Sequence, residues 1–291
     1  MIRRGDHVLL KPNLLKPSHP DAAVTTHPKL ILTIAQMCLD LGAHVTIGDS
    51  PGFFSLKKVA QSLGLTDPCK KMNIKIQEFR SPVPRKSIRN DHTLKQFKHD
   101  RLMIESDVII NLPKLKSHQQ LALTGAIKNL YGCIPGKRKA KYHYQFGDRD
   151  NLFAEMLIEN YELIRPTFTL VDAIVAMEGN GPARGRPKNV GLLIAGKDAV
   201  SIDRILCEII GLPPELLRTL TAAKTLGVGN TELENIELVG ALLGEIKVRD
   251  FLKAQAMPIK FELTRVIRSI VRNLYYRYFK EKTCQESTVL Q

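Results

Sequence analysis

Short apolar runs alternate with segments of helical period along most of this chain, and that alternation limits the fold more than any other feature. HVLL (7–10), HVTIG (44–48), IKIQEF (74–79), DVIINL (107–112), TFTLVDA (167–173) and NVGLLIAG (189–196) read as strands. Several are apolar on both faces, the pattern of strands covered from both sides. Between them, apolar residues recur at helix spacing, as at Leu30, Ile31, Ile34, Ala35, Cys38 and Leu41. Pro28 opens that segment and Gly42 closes it. Strands alternating with helices predict an α/β protein: a mostly parallel sheet with flanking helices, in one lobe or two. Further helices are expected over 54–64, within 119–130, and over 151–164, 198–210 and 215–226. A last short strand is expected over 236–240. Residues 80–101 read as a long basic connection.

The tail departs from this pattern. From Ile259 to Phe279, apolar residues recur at helical spacing, while Lys260, Arg265, Arg268, Arg272 and Arg277 fall on the other face. That is a basic amphipathic helix. It divides the chain into an α/β domain, 1–256, and a tail, 257–291. Two readings of the helix stay open: docked on the core, or lying on a membrane surface or partner through 259–279.

The formal net charge of +14 favours an anionic partner over a neutral one. A small molecule bearing phosphate or carboxylate, a nucleic acid and a membrane face all qualify. No nucleic-acid module is recognisable, and only 6% of residues are aromatic, few for base stacking. The five cysteines are scattered, with no C-x-x-C pair, so no iron–sulfur cluster or other metal centre is expected on this chain. This usage fits a reducing cytoplasm, with a peripheral membrane position as the alternative through the tail. MIRRGDHVLL lacks the form of a signal peptide, and no apolar run is long enough to span a membrane.

Ligands in parallel sheets sit beyond the carboxyl ends of the strands. Four strand ends here carry polar groups: Lys11 and Asn13; Asp49 and Ser50; Lys114, Lys116 and His118; and Asp172 followed by MEGNGPARG (177–185). Lys114, Lys116 and His118 alternate, so an extended chain puts all three on one side. Thr124-Gly125 reads as the cap of a helix that carries Lys128 in its first turn. Strand end and helix N-terminus would then favour the same anion. The basic run 136–143 reads either as a mobile loop closing over that anion or as a solvated charge run. The glycines of 177–185 read either as an amide cradle for an anion or as a plain turn.

GDSPG (48–52) matches the G-x-S-x-G pattern of a nucleophile elbow. The residue after the serine is Pro51, which has no N–H for an oxyanion hole, and this weighs against a serine hydrolase. Neither a Walker nor a dinucleotide-binding pattern is present.

KPN (11–13), GDSPG (48–52), NLPKLKSH (111–118), TGAIKNLYG (124–132), VDAIVAMEGNGP (171–182) and AVSID (199–203) occur in that order. The ordered set resembles the family catalogued as domain of unknown function 362. It is also distantly similar to the nickel-pincer lactate racemases, where lysines and histidines line a cleft between two α/β lobes. The family resemblance implies an α/β fold and an association with iron–sulfur proteins, since many members carry a ferredoxin module. This chain has no such module. It also begins at the KPN strand, where relatives have an upstream segment, so a shortened member is expected.

The residues carried over are Lys11, Asn13, Asp49, Lys114, Lys116, His118, Lys128, Asn129, Glu178 and Asp203. Together these readings favour an enzyme acting on an anionic small molecule, with reduction by an external ferredoxin-like donor as one form. His118, Asp49 and Glu178 are the candidate proton-transfer groups. Lys11, Asn13, Ser50, Lys114, Lys116, Lys128, Asn129 and Asp203 are the candidate ligand-binding groups. A nucleic-acid or membrane-surface binder is the alternative, and a scaffold the third.

Overall fold

The computed structural model describes residues 2–259 apart from 53, 137 and 148. A mostly parallel eight-stranded sheet runs through it, flanked by helices. In chain order the first elements are β1 (His7–Pro12), α1 (Pro28–Asp40), β2 (His44–Asp49), α2 (Leu56–Ser62), α3 (Thr66–Lys71) and β3 (Lys75–Glu78). These form successive β-α-β units in the spatial order β3-β2-β1. α1 buries Ile31, Ala35 and Cys38 against Val8, Leu10, Val45 and Ile47, the face that its spacing required.

The basic stretch 80–101 holds two strands, β4 (Pro82–Lys86) and β5 (Gln96–Asp100). They pair antiparallel as a separate sheet. Phe97 and His99 point inward from β5 and are fully buried. Their alternation is short, and the partner strand β4 carries two prolines, so the sequence reads there as a connection.

After α4 (Leu102–Glu105), β6 (Val108–Leu112) and β7 (Lys114–His118) follow each other with only Pro113 between them. Then come β8 (Ala122–Thr124), α5 (Ala126–Asn129), α6 (Arg138–Phe146), α7 (Leu152–Ile164), β9 (Phe168–Glu178), β10 (Arg186–Gly196), α8 (Ala199–Ile210) and α9 (Arg218–Leu226). The basic run expected as a loop or charge run at 136–143 is in fact largely α6. It buries Tyr142, His143 and Phe146. β10 turns back antiparallel on β9, and residues 236–240 form no strand.

The register places β6 and β7 along one edge of β9. Ile110 aligns with Phe168, Asn111 with Thr169 and Lys114 with Asp172, a constant offset across Pro113. β10 occupies the other edge of β9. Pro113 has no N–H to give, yet its carbonyl accepts from Asp172 N–H at 2.8 Å, so the ladder passes through it. β6 and β7 therefore act as one long strand. Its far edge changes partner: β1 pairs up to Pro12 against Leu112, and β8 begins, antiparallel, at Thr124 against Lys116. The sheet splits between those points.

The largest apolar cluster packs α5, α7, α8 and α9 on one side of the β7–β9 half. The chain end is tied to this half. Met257 N–H donates to Gln119 O at 2.8 Å, Gln120 Nε2 donates to the carbonyls of Pro258 and Ile259, and Ile259 is 1% exposed. The docked domain thus runs at least to Ile259. The rest of the expected basic helix, 260–279, and the tail beyond it lie outside the described residues. Among the described residues, no helix is long and apolar enough to cross a membrane.

Candidate functional site

The split in the sheet gathers most of the residues expected to bind a ligand. At the ends of β1 and β2, Lys11 Nζ lies 2.8 Å from Asp49 Oδ1 and donates to Pro12 O at 2.7 Å. Lys11 is 1% exposed and Asp49 5%. Asp49 also accepts the N–H groups of Leu14 and Ser50, both at 2.8 Å. Gly132 closes over this pair: a Cβ there would run into Asp49 Oδ1 and stand 2.8 Å from Lys11 Nζ. Ser50 is buried beside it, its hydroxyl accepting from Gly136 N–H at 3.2 Å and its carbonyl bound by Lys139 Nζ.

Between the diverging strands lies a chain of amides. Asn13 Nδ2 donates to Asn129 Oδ1 at 3.0 Å, and Asn129 Nδ2 donates to Lys11 O at 3.0 Å and Asn111 Oδ1 at 2.8 Å. Lys116 reaches into this chain from β7 and donates to Asn13 Oδ1 and Val24 O, each at 2.8 Å. Its side chain is wholly enclosed. Burial above all, then the like charges of Lys114 and Lys128, push its ammonium down to about 7. One register step along β7, Lys114 is held by Asp172 Oδ2 at 2.9 Å, and that oxygen also accepts His27 N–H. Burial lowers Lys114 too, against the pull of Asp172.

α5 begins in the same place, but its cap differs from the one expected. Thr124 Oγ1 is buried with no partner among the described residues, and Gly125 offers no side chain. The carboxylate of Asp203, from α8, caps instead, accepting Ala126 N–H at 2.6 Å and Ile127 N–H at 3.2 Å. Gly125 has to be glycine, since a Cβ would collide with that carboxylate. Asp203 therefore positions α5. Burial raises it to about 7 in spite of the two N–H groups.

With α5 fixed this way, Lys128 sits in its single turn, as the sequence placed it. Its Nζ stands over the Tyr131 ring, 4.4 Å from the centroid. Loss of water and the nearby Lys139 push Lys128 down to about 7. Lys139 itself, from α6, is lowered to about 8, chiefly by burial. His118, at the end of β7, accepts the N–H groups of Gln120 and Leu121 at Nδ1, at 3.1 and 3.3 Å. Its neutral ring therefore carries the proton on Nε2. Burial, Lys128, Lys116 and His143 keep it well below the usual imidazole range. His143 is held down to about 3, largely by burial and then Lys128.

Glu178 stands apart from this group. Met177 is in register with Lys116, so Glu178 projects from the opposite sheet face. There Oε1 pairs with Arg186 Nε at 2.8 Å and Oε2 accepts Leu252 N–H at 2.8 Å. The glycine turn that follows makes no free amide cradle from these two glycines: Gly179 N–H donates to Leu252 O and Gly181 N–H to Gly179 O.

Sequence reasoning missed Asn111, Lys139 and His143 as site residues, and left Asp172 without a role. Lys139 and His143 were hidden in a run that reads as solvated charge. Asn111 and Asp172 each fall inside an apolar strand, where a lone polar residue was the available signal. The four described cysteines are buried and unpaired, and no three His, Cys, Asp or Glu side chains among the described residues gather as a metal site.

A model of the family described as "Domain of unknown function (DUF362)" matches residues 8–208. The chain belongs to that family. It is 39% identical, over 284 residues, to a thylakoid-associated protein of Synechocystis sp., across 96% of this chain and 86% of that protein. Among solved structures, the lactate racemase apoprotein of Thermoanaerobacterium thermosaccharolyticum aligns at a TM-score of 0.47 and 13% identity, over 67% of this chain and 46% of that one. A protein of Thermotoga maritima aligns at a TM-score of 0.43 and 11% identity, over 68% and 52%. The chain thus spans about half the length of each of these two structures.

Proposed function

We propose that this DUF362 protein is an enzyme whose substrate is a small anion, bearing phosphate or carboxylate, bound at the split between β1 and β8. One observation carries the reading. Lys116, Lys128 and Lys139 make no ion pair among the described residues, the nearby Asp49 being held by Lys11, and all three are lowered, chiefly by burial. Folding bears a cost to bury such charge unpaired. A bound anion offsets that cost and draws the ammonium groups back to the charged form. His118 then serves as a neutral hydrogen-bond donor through Nε2–H, since its Nδ1 is held by the backbone. Asp49 holds Lys11 in place and Asp203 holds α5; both act on the site by positioning. Glu178 has a structural part on the other face.

Inorganic pyrophosphate tests the anion site directly. It should raise the unfolding temperature of the full chain in a saturable way, and Lys116→Met should weaken that protection. An unfolding temperature indifferent to pyrophosphate would remove the reading.

A second reading is supported by the thylakoid association of the 39% identical relative and by the +14 charge. In it the protein sits on an anionic membrane surface through its basic tail. Co-sedimentation with vesicles containing anionic lipid, with and without residues 260–291, separates the two. Loss of sedimentation on truncation, with pyrophosphate protection intact, would show that both activities exist and lie in different parts of the chain.

A further inference from the structure

The lysines at the split are not equivalent. Lys11 and Lys114 are ion-paired to Asp49 and Asp172. Lys116 is fully enclosed and donates twice, and Lys139 is bound to Ser50 O. Lys128 alone in this group has no hydrogen-bond acceptor among the described residues. The residue as a whole is half-buried. The Tyr131 ring fixes one side of its amine at 4.4 Å, and Tyr131 is itself locked by a bond from its hydroxyl to Lys139 O at 2.7 Å. The amine is positioned by the ring and free of a hydrogen-bond acceptor among the described residues, with His118 close enough to feel its charge.

We propose that Lys128 is a nucleophile that forms an imine with the carbonyl group of an anionic aldehyde or keto acid, while the neighbouring lysines hold the anionic end. This rests on the anion-binding reading above and names the substrate class. The Nζ lone pair adds to the carbonyl carbon, and the C=O π pair moves to oxygen. Both amine hydrogens pass to that oxygen, which departs as water when the C=N bond forms. These protons pass through solvent, and the His118 Nε2–H can donate a hydrogen bond to that oxygen. Nothing is oxidised or reduced. Because burial lowers the Lys128 amine to about 7, an unprotonated lone pair is available near neutral pH without an added base.

Pyridoxal 5′-phosphate, an aldehyde carrying a phosphate, is a suitable probe. The full chain would be treated with a substoichiometric amount at pH 7, reduced with borohydride and mapped by mass spectrometry. Lys128 should carry most of the label, at a rate at least about tenfold above the exposed Lys71, a floor well under the about thousandfold difference in free amine at a pKa of about 7 against about 10.4. Lys128→Arg should abolish the labelled peptide while the chain still unfolds cooperatively. Label spread evenly over exposed lysines, or Lys128 reacting no faster than Lys71, would overturn the proposal. Pyrophosphate protection without Lys128 labelling sinks the imine alone and leaves the anion site. Labelling of Lys128 without pyrophosphate protection upholds the nucleophile and sinks the anion reading.

Discussion

Asp203 Oδ1 accepts the N–H of Ala126 at 2.6 Å, so a carboxylate on α8 supplies the cap of a helix four residues long. The two elements lie far apart in the chain, and their contact decides where Lys128 stands. Burial raises this carboxyl from 3.8 to about 7. A group raised in the folded state contributes stability that is full below its unfolded value and lost as pH rises through its folded value. Asp203 should therefore make the protein less stable between about pH 4 and pH 7. Asp203→Asn, which keeps an acceptor for Ala126, should flatten that slope in urea unfolding at pH 4.5, 6 and 7.5. An unchanged slope would show that Asp203 is ionised throughout the range.

The Lys11–Asp49 pair is buried on both sides, so removing one partner strands a charge. Asp49→Asn should cost about 3–5 kcal/mol in unfolding free energy. Adding Lys11→Met should recover much of it, because the stranded ammonium is gone. If Asp49→Asn instead leaves stability intact and abolishes turnover, Asp49 is a catalytic group after all.

Lys116 and Lys128, near 7 when folded against 10.5 otherwise, should add stability as pH rises from about 7 to about 10. Their depressed values also mean that an arriving anion recruits protons. Calorimetry of pyrophosphate binding at pH 7.5, in two buffers of different ionisation enthalpy, should show net proton uptake. Equal heats in both buffers would place the anion elsewhere.

Glu178 binds Leu252 N–H on one oxygen and the mostly exposed Arg186 on the other. An exposed partner makes the ion pair worth little, about 0–1 kcal/mol. Glu178→Gln retains an oxygen for Leu252 and should cost no more than about 1 kcal/mol, with pyrophosphate binding unaltered. A binding or activity defect in this variant would return Glu178 to the site.

The strand–helix order was legible because apolar periodicity is a local property. The places of Lys11, Asn13 and Asp49 beside the split followed from their position at the ends of parallel strands, whereas Lys114, Lys116 and His118 lie within β7. What the sequence hid is long-range. β6 and β7 read as one strand ending in polar groups, because a proline and three basic residues follow the apolar run. Pairing with β9 overrides that local signal, and burial of the lysines depends on Asn13, Asp172 and Val24, none of them adjacent. Asp203 read as a ligand-binding residue since nothing local shows that Ala126 N–H lies within its reach. Glu178 followed a promising strand end but alternates to the wrong face, and only the β7–β9 register reveals this.

The central claim is that the anion is held by enclosed charge at the split in the sheet rather than by the net charge of +14. Lys116→Met and Lys71→Met each remove one positive charge, one fully enclosed and one exposed on α3. Pyrophosphate affinity should fall about tenfold or more for Lys116→Met, equivalent to about 1.5–3 kcal/mol for a lost charge-assisted hydrogen bond. For Lys71→Met it should stay within about twofold, with any difference erased by added salt. Equal, salt-sensitive losses in both variants would contradict the account and leave diffuse surface charge as the binding determinant.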